Sequence, residues 1–362
     1  MTAMRALAFL AALAVVAAAC RGSSVALTPA NQTASASAVG SAATVPTPAG
    51  AGGSVLAGPT PTATRFPSQP ARILATIQVP GNPNGMLDAY GSVWVSGRHT
   101  NAVYRINPAS NTITATIDVG GEPSYFADDG QAVWVVQSGK NAMARIDPRT
   151  NAVTWVVLGP ATYDSPTPVV GAGAVWNGTE APSVAKVDVR SQQVLGTIDL
   201  PGPGATVESE PEVAFAGGLV WIARRTGSAG IQRFDPTTLA LRDTVLPGHP
   251  VLLFALGSDG DVVWAQEAAS ILELDATTGR IIAQLPMPTD FDGVNLSGGR
   301  LWLSRSYPVA FSLMDPKTGR PGVAFTLPGQ ATEGLWFLDR GPHDLWVSDW
   351  DANAVYRVDP TP

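Results

Sequence analysis

The chain has 362 residues, with 37 Gly, 31 Pro, only 14% charged side chains and a formal net charge of -7. Its few lysines (Lys140, Lys186, Lys317) and scattered arginines form no basic stripe, which argues against nucleic acid as a partner, because phosphates are neutralised by clustered cations. The length is ample for a large core, and all-β domains of this size fold as single units.

In chain order, Arg5 precedes an apolar run over residues 6–19, which has the length of a secretory signal and falls short of a membrane span. The run ends at Cys20, the only cysteine. Ala17-Ala18-Ala19-Cys20 resembles the lipobox of bacterial lipoproteins, with Ala17 where Leu is usual. That resemblance implies a signal peptide over 1–19, lipidation of Cys20 and export. The protein would then be anchored by lipid alone to the bacterial cell membrane, facing outside the cytoplasm. Residues 20–71 are Ala, Gly, Ser, Thr and Pro with few large apolar groups, too poor in hydrophobic surface to offset ordering entropy, so a disordered tether is expected there. The folded domain is expected over 72–362.

A repeat then governs the chain. Trp94, Trp134, Trp176, Trp221, Trp264, Trp302 and Trp346 each sit in a short apolar triplet such as VWV or LWL. Each is followed by a second mark, YRINP, ARIDP, AKVDV, QRFDP, LELDA, SLMDP or YRVDP. Repeats of about 40 to 45 residues, each readable as four short strands, predict a seven-bladed all-β propeller with antiparallel blades. The Asp-Pro or Asn-Pro step suits a tight turn, with Asn111, Asn151, Gly279 and Gly319 placed to take a left-handed conformation before the outer strand. The last repeat stops at NAVYRVDPTP without an outer strand, while RILATIQVPGNP (72–83) aligns with TITATIDVGGEP (112–123). Residues 73–79 are therefore expected to pair beside 354–358 and close the ring, removing an open edge.

The stretch NAVYRINPASNTITATIDVGGEP resembles the YVTN repeat of bacterial surface and periplasmic propellers. The neighbouring virginiamycin B lyases are also seven-bladed, and DGDVVWAQE (259–267) is the nearest copy of their repeat. That resemblance implies a metal-dependent elimination using His and Glu with a divalent cation. Under it the weak catalytic candidates are His99, His249, Glu267 and Glu333, with neither histidine in a stretch matching the lyase's active-site motif.

In a propeller, ligands meet the face carrying the loops from second to third strand and from outer strand to the next inner strand. Candidates on that face are Arg98, Tyr163, Asp164, Glu208, Glu210, Arg224, Arg225, Asp290, Asp292, Arg305, Tyr307, Asp349, Trp350 and Asp351. Trp350 breaks the tryptophan repeat and lies between two aspartates, which marks it as a stacking contact. His343 falls on the opposite face. No Cys/His zinc spacing, phosphate loop or nucleophile elbow is present. No cofactor is predicted outside the lyase alternative. The reading that leads is a monomeric binding or interaction module for a protein, glycan or small molecule; the alternative is the lyase.

Overall fold

The computed structural model describes residues 66–159, 167–179, 183–200, 211–224, 230–246, 256–267, 269–306, 309–328 and 335–361. Among them the strands form seven sheets, which are the blades of a propeller. Blade 1 is Pro83–Ala89, Ser92–Gly97, Ala102–Asn107 and Thr112–Asp118, and blade 2 is Pro123–Asp128, Val133–Gln137, Ala142–Ile146 and Val153–Val157. Blade 3 is Val169–Gly171, Ala174–Thr179, Ser183–Asp188 and Val194–Asp199. Blade 4 is Pro211–Ala216, Leu219–Arg224, Ile231–Phe234 and Leu241–Val245. Blade 5 is Leu256–Asp259, Val262–Glu267, Ser270–Asp275 and Ile281–Pro286, and blade 6 is Gly293–Ser297, Arg300–Arg305, Ala310–Leu313 and Ala324–Thr326. Blade 7 is Leu335–Asp339, Leu345–Asp349 and Ala354–Asp359, completed by Arg72–Gln78.

The seam closes as the repeat alignment predicts. Arg72–Gln78 runs antiparallel to Ala354–Asp359, with Ile73 opposite Val358, Thr76 opposite Tyr356 and Gln78 opposite Ala354. The sheet begins earlier than the boundary expected at residue 72. Ser68–Pro70 adds a parallel fifth strand to blade 6, against Ala324–Thr326, and Phe66 packs on the cluster around Phe291. The N-terminal segment thus ties blade 6 to blade 7 before it enters the ring.

Seven clusters of buried apolar side chains fill the spaces between successive blades, one cluster per interface. Each holds one repeat tryptophan, always from the earlier blade: Trp94 between blades 1 and 2, Trp346 between blades 7 and 1. Burying an aromatic of this size is worth roughly 4–6 kcal/mol by area, an upper bound. The second strands are buried on both sides because each lies between two neighbouring blades, which explains why they read as unbroken apolar runs.

The second mark does more than turn the chain. Its cation lies over the tryptophan of the same blade and reaches the turn of the next. Arg105 sits over Trp94 and donates to the Pro148 carbonyl at 2.6 Å and to Asn151 Oδ1 at 3.1 Å. Lys186 donates to the Pro236 carbonyl, Arg233 to the Thr277 carbonyl and, across the seam, Arg357 to the Pro108 carbonyl at 2.7 Å. The turns have the predicted form. Asn111, Asn151, Gly279 and Gly319 have φ between 55° and 73°, and Gln192 and Leu239 take the same conformation in blades 3 and 4. Asp147, Asp188, Asp235, Asp275 and Asp315 cap the turn N–H groups, which holds their carboxyls below the usual range.

Candidate functional site at the channel mouth

Strand direction fixes which loops share a face. Second strands end, and inner strands begin, on the side that carries the second-to-third loops. Every second strand ends three residues after its tryptophan, at Gly97, Gln137, Thr179, Arg224, Glu267, Arg305 and Asp349. Side chains alternate along a strand, so this residue points away from the tryptophan's side, toward the preceding blade. Two of the seven show the consequence. Gln137 donates through Nε2 to the Val119 carbonyl and to the Gly120 carbonyl at 3.2 Å; Arg224 donates through Nη2 to the Leu200 carbonyl. Val119 and Leu200 each follow the outer strand of the preceding blade. The position is a clamp that reaches back over the blade interface, and burial pulls the Arg224 pKa down.

Asp349 stands at the same position in blade 7 but has no hydrogen to donate when ionised. It is fully buried; Oδ1 accepts the Ala352 N–H at 3.0 Å and Oδ2 has no partner. Burial holds its carboxyl above the usual range and the Asp351 charge adds to it, while the backbone N–H groups of Ala352 and Asp351 oppose it. The Tyr356 hydroxyl is raised by its own burial and by Asp349.

Above this ring, the seam between blades 7 and 1 brings sequence-distant groups together. The His99 and Trp350 rings meet edge to face at 5.3 Å, and the Arg98 guanidinium lies 5.9 Å from the Trp350 ring centre. Arg98 also reaches Glu122 Oε2 at 3.5 Å. His99 Nδ1 contacts Asn82 Oδ1 at 2.8 Å, while Asn82 Nδ2 donates to the Trp350 carbonyl at 3.1 Å. The scaffold beneath repeats with the sequence. Asn353 Oδ1 accepts the Asn82 N–H at 2.8 Å, and in the next blade Asn101 Oδ1 accepts the Glu122 N–H at 3.0 Å. Asn82 and Glu122 both hold a left-handed backbone, with φ of 61° and 53°. Trp350 is half-buried in the turn after its strand rather than packed under strands.

The other candidates divide clearly. Asp290 Oδ2 accepts the Phe66 N–H and Asp292 Oδ2 accepts the Ser306 N–H at 2.9 Å, so the two carboxylates hold backbone at the blade 6 entrance. Glu267 accepts from Ser270 Oγ at 3.2 Å, and Arg305 is half-buried at the end of its strand. His343 lies on the opposite face, 3.2 Å from Asp359 Oδ1. Cys20, Tyr163, Asp164, Glu208, Glu210, Arg225, His249, Tyr307 and Glu333 lie outside the described residues. Among the described residues, no three His, Cys, Asp or Glu side chains are grouped to hold a metal ion.

Two residues at the mouth, Asn84 and Tyr125, carry no sequence mark, while Trp336, like Trp350, stands outside the tryptophan repeat. Asn84, in the inner strand of blade 1, is buried with Oδ1 unpartnered. Tyr125 and Trp336 belong to the inner strands of blades 2 and 7, yet their rings meet at 4.8 Å and 62° across the inner end of blade 1. Gly85 makes room there: a Cβ on it would lie 2.4 Å from the Ser124 carbonyl oxygen and 3.1 Å from Tyr125 Cα.

No protein-family profile matches the sequence, and no curated protein does. Among solved structures, the chain is similar to the WD40 β-propeller domain of Doa1, with a TM-score of 0.61 and 13% identity over 79% of this chain and 96% of that one. At that identity the likeness concerns architecture: the chain is a seven-bladed β-propeller.

Proposed function

We propose that the protein is an extracytoplasmic binding module. It is held at the membrane by lipid on Cys20 and a tether that ends before Phe66, and it presents the Trp350–His99–Arg98 face of blades 7, 1 and 2 to a protein, glycan or small molecule. The observation that supports this is a contrast between positions. Those that build the blades repeat, as the tryptophans and capping aspartates do. The last residue of the second strand varies around the ring, running through Gly, Gln, Thr, Arg, Glu, Arg and Asp, with only Arg used twice. A register position with six residue types in seven blades is not dictated by the repeat, and the loops that follow it carry the half-buried Trp350 and the exposed His99 on the same face.

The test is photo-crosslinking in the native cell envelope. A photoreactive residue at position 350 should give discrete adducts, and one at position 343, on the far face, should not. Equal labelling from both positions, or none from 350, would sink the reading. Cys20→Ser should move the protein from the membrane to the soluble exported fraction; retention in the membrane would remove the anchor.

A further inference from the structure

We propose that the outer edge of blade 2, Val153–Val157, is an interaction surface on which two copies of this chain pair edge to edge, antiparallel about Trp155. The surface belongs to the outer wall of the ring and is independent of the Trp350 face. It makes the protein a weak dimer rather than the expected monomer.

An outer strand leaves one row of backbone N–H and C=O groups unpaired, and proteins guard such edges with bulges, charges, prolines or a covering strand. Among the described residues every blade but one is guarded. The outer strands of blades 1, 3, 4, 5 and 7 each slip one residue against the third strand, at Thr114, Leu195, Arg242, Ile282 and Leu74. Blade 6 has its edge covered by Ser68–Pro70, so strand addition at an outer edge already occurs within this fold. In blade 2 the ladder runs unbroken from Val153 opposite Ile146 to Val157 opposite Ala142. Val153–Val157 also holds no charge, glycine or proline. The cause is one missing residue: NTITATIDV (111–119) becomes NAVTWVVL (151–158). The ends of the two stretches match, since Asn111 and Asn151 share a left-handed backbone and the Val119 and Leu158 N–H groups bond the Asn101 and Asn141 carbonyls. What the shorter stretch lacks is the bulge.

The side chains depart from the repeat at the same place. The ladder position held by Trp155 carries Thr116, Thr197, Thr244, Gln284 and Thr76 in blades 1, 3, 4, 5 and 7. Two residues on, Val157 stands where blades 1, 3, 5 and 7 have Asp118, Asp199, Pro286 and Gln78. Trp155 is 58% exposed and Val157 68%, the most exposed large apolar side chains among the described residues. Both lie on one side of the strand, toward blade 1, where Trp155 Nε1 donates to the Val119 carbonyl at 2.9 Å. The indole N–H is therefore met, and what the ring leaves open is apolar surface. The Leu158 N–H bonds the Asn141 carbonyl and the Ala152 carbonyl accepts the Asp147 N–H, so the even-numbered residues face the third strand. By alternation, Val153, Trp155 and Val157 turn their backbone groups outward. This strand is its own complement. A two-fold axis at Trp155 sets Val153 against Val157 and Trp155 against its copy, brings no charges together, and forms about six backbone hydrogen bonds. One strand pair is a small interface, which places the dimer among weak, reversible ones.

The test is sedimentation equilibrium of the full chain in density-matched detergent over a wide range of concentration. The mass should rise reversibly from one copy toward two. The double variant W155T/V157D carries the residues that blades 1 and 3 hold at these positions, so it should stay folded by near-ultraviolet circular dichroism and self-associate about tenfold or more weakly. L195T removes an exposed apolar residue from the bulged edge of blade 3 and should associate as the wild type does. Residue-resolved amide exchange gives a second reading: Val153, Trp155 and Val157 should gain protection as the dimer forms, and Thr154 and Val156 should be protected throughout. A single copy at every concentration overturns the proposal, as does association that W155T/V157D leaves unchanged. Photo-crosslinking from position 157 in the cell envelope identifies the occupant. An adduct of two copies supports the pairing, and adducts to other proteins alone overturn it.

Discussion

Asp349→Asn should make the protein more stable, and increasingly so as pH rises. The wild-type carboxyl is fully buried with one oxygen unpartnered. An unmet buried polar group costs about 1–3 kcal/mol, and an ionised one more. Asparagine keeps the shape and the Oδ1 bond to Ala352. It also supplies a hydrogen where Gln137 and Arg224 supply theirs in blades 2 and 4, toward the carbonyl ending the preceding blade, which here belongs to Leu327. The gain at pH 8 should be roughly 1–3 kcal/mol, a rise of several degrees in Tm for a domain of this size. The pH dependence has a definite sign. A carboxyl held above its usual range binds its proton more tightly in the folded chain than in the unfolded one. Its stabilising share is complete below the ordinary range, near about pH 4, and is lost as pH rises through the folded value. Wild type loses that share as pH rises above the ordinary carboxylate range and D349N does not, so the gap opens with pH. Urea unfolding at several pH values in amine-free buffer measures it. A D349N protein less stable than wild type at pH 8, or a gap that ignores pH, would refute the account of Asp349 as an uncompensated charge.

Other outcomes are equally definite. Arg357→Met should lower stability by about 2–3 kcal/mol in urea unfolding, because it deletes the bonds to Pro108 and Asn111 that clamp the seam and the pairing with Asp344. Gly85→Ala should cost about 1–3 kcal/mol and alter near-ultraviolet circular dichroism, since its Cβ would force the inner strands of blades 1 and 2 apart at the Tyr125–Trp336 contact. Gln192→Gly should gain up to about 1 kcal/mol by relieving a left-handed backbone, less the small loss of the Thr154 hydrogen bond. Asp147→Asn should flatten part of the acid limb of stability: its lowered carboxyl contributes above the ordinary carboxylate range and is lost as pH falls through the folded value, while Asn107 already caps the same turn of blade 1 without a charge.

The architecture was legible because each blade restates it. A tryptophan needs a neighbouring sheet to cover it, a capped turn needs a left-handed residue three or four places on, and seven copies of both leave few alternatives. The seam was legible for the same reason: an unfinished repeat at one end matches an extra strand at the other. The parallel strand Ser68–Pro70 was not, because nothing in a tract of small residues repeats, and its pairing with Ala324–Thr326 depends on a partner more than 250 positions away. The interblade clamp was written in the second mark, whose Arg or Lys recurs in five blades, but a turn reading uses only the Asp-Pro that follows it.

The site was legible in pieces and not as a whole, and the reason is physical. Arg224, Glu267, Arg305 and Asp349 were each visible as charged loop-end residues, yet their common register becomes plain only when every second strand is seen to end three residues after its tryptophan. Trp350 stood out because it broke the repeat, but its partners His99, Arg98 and Asn82 come from the other end of the chain and meet it only once the ring closes. Asn84 and Tyr125 gave no mark at all, since a polar residue or an aromatic near a strand start is ordinary until burial is known. What separates structural from functional positions here is the hydrogen-bond account rather than residue type. Gln137, Arg224 and Asp349 share one register position; the first two donate to the blade behind them, and the third has nothing to give when ionised. A propeller that can place an amide or a guanidinium there, and carries a carboxylate instead, gives up stability at that one strand end.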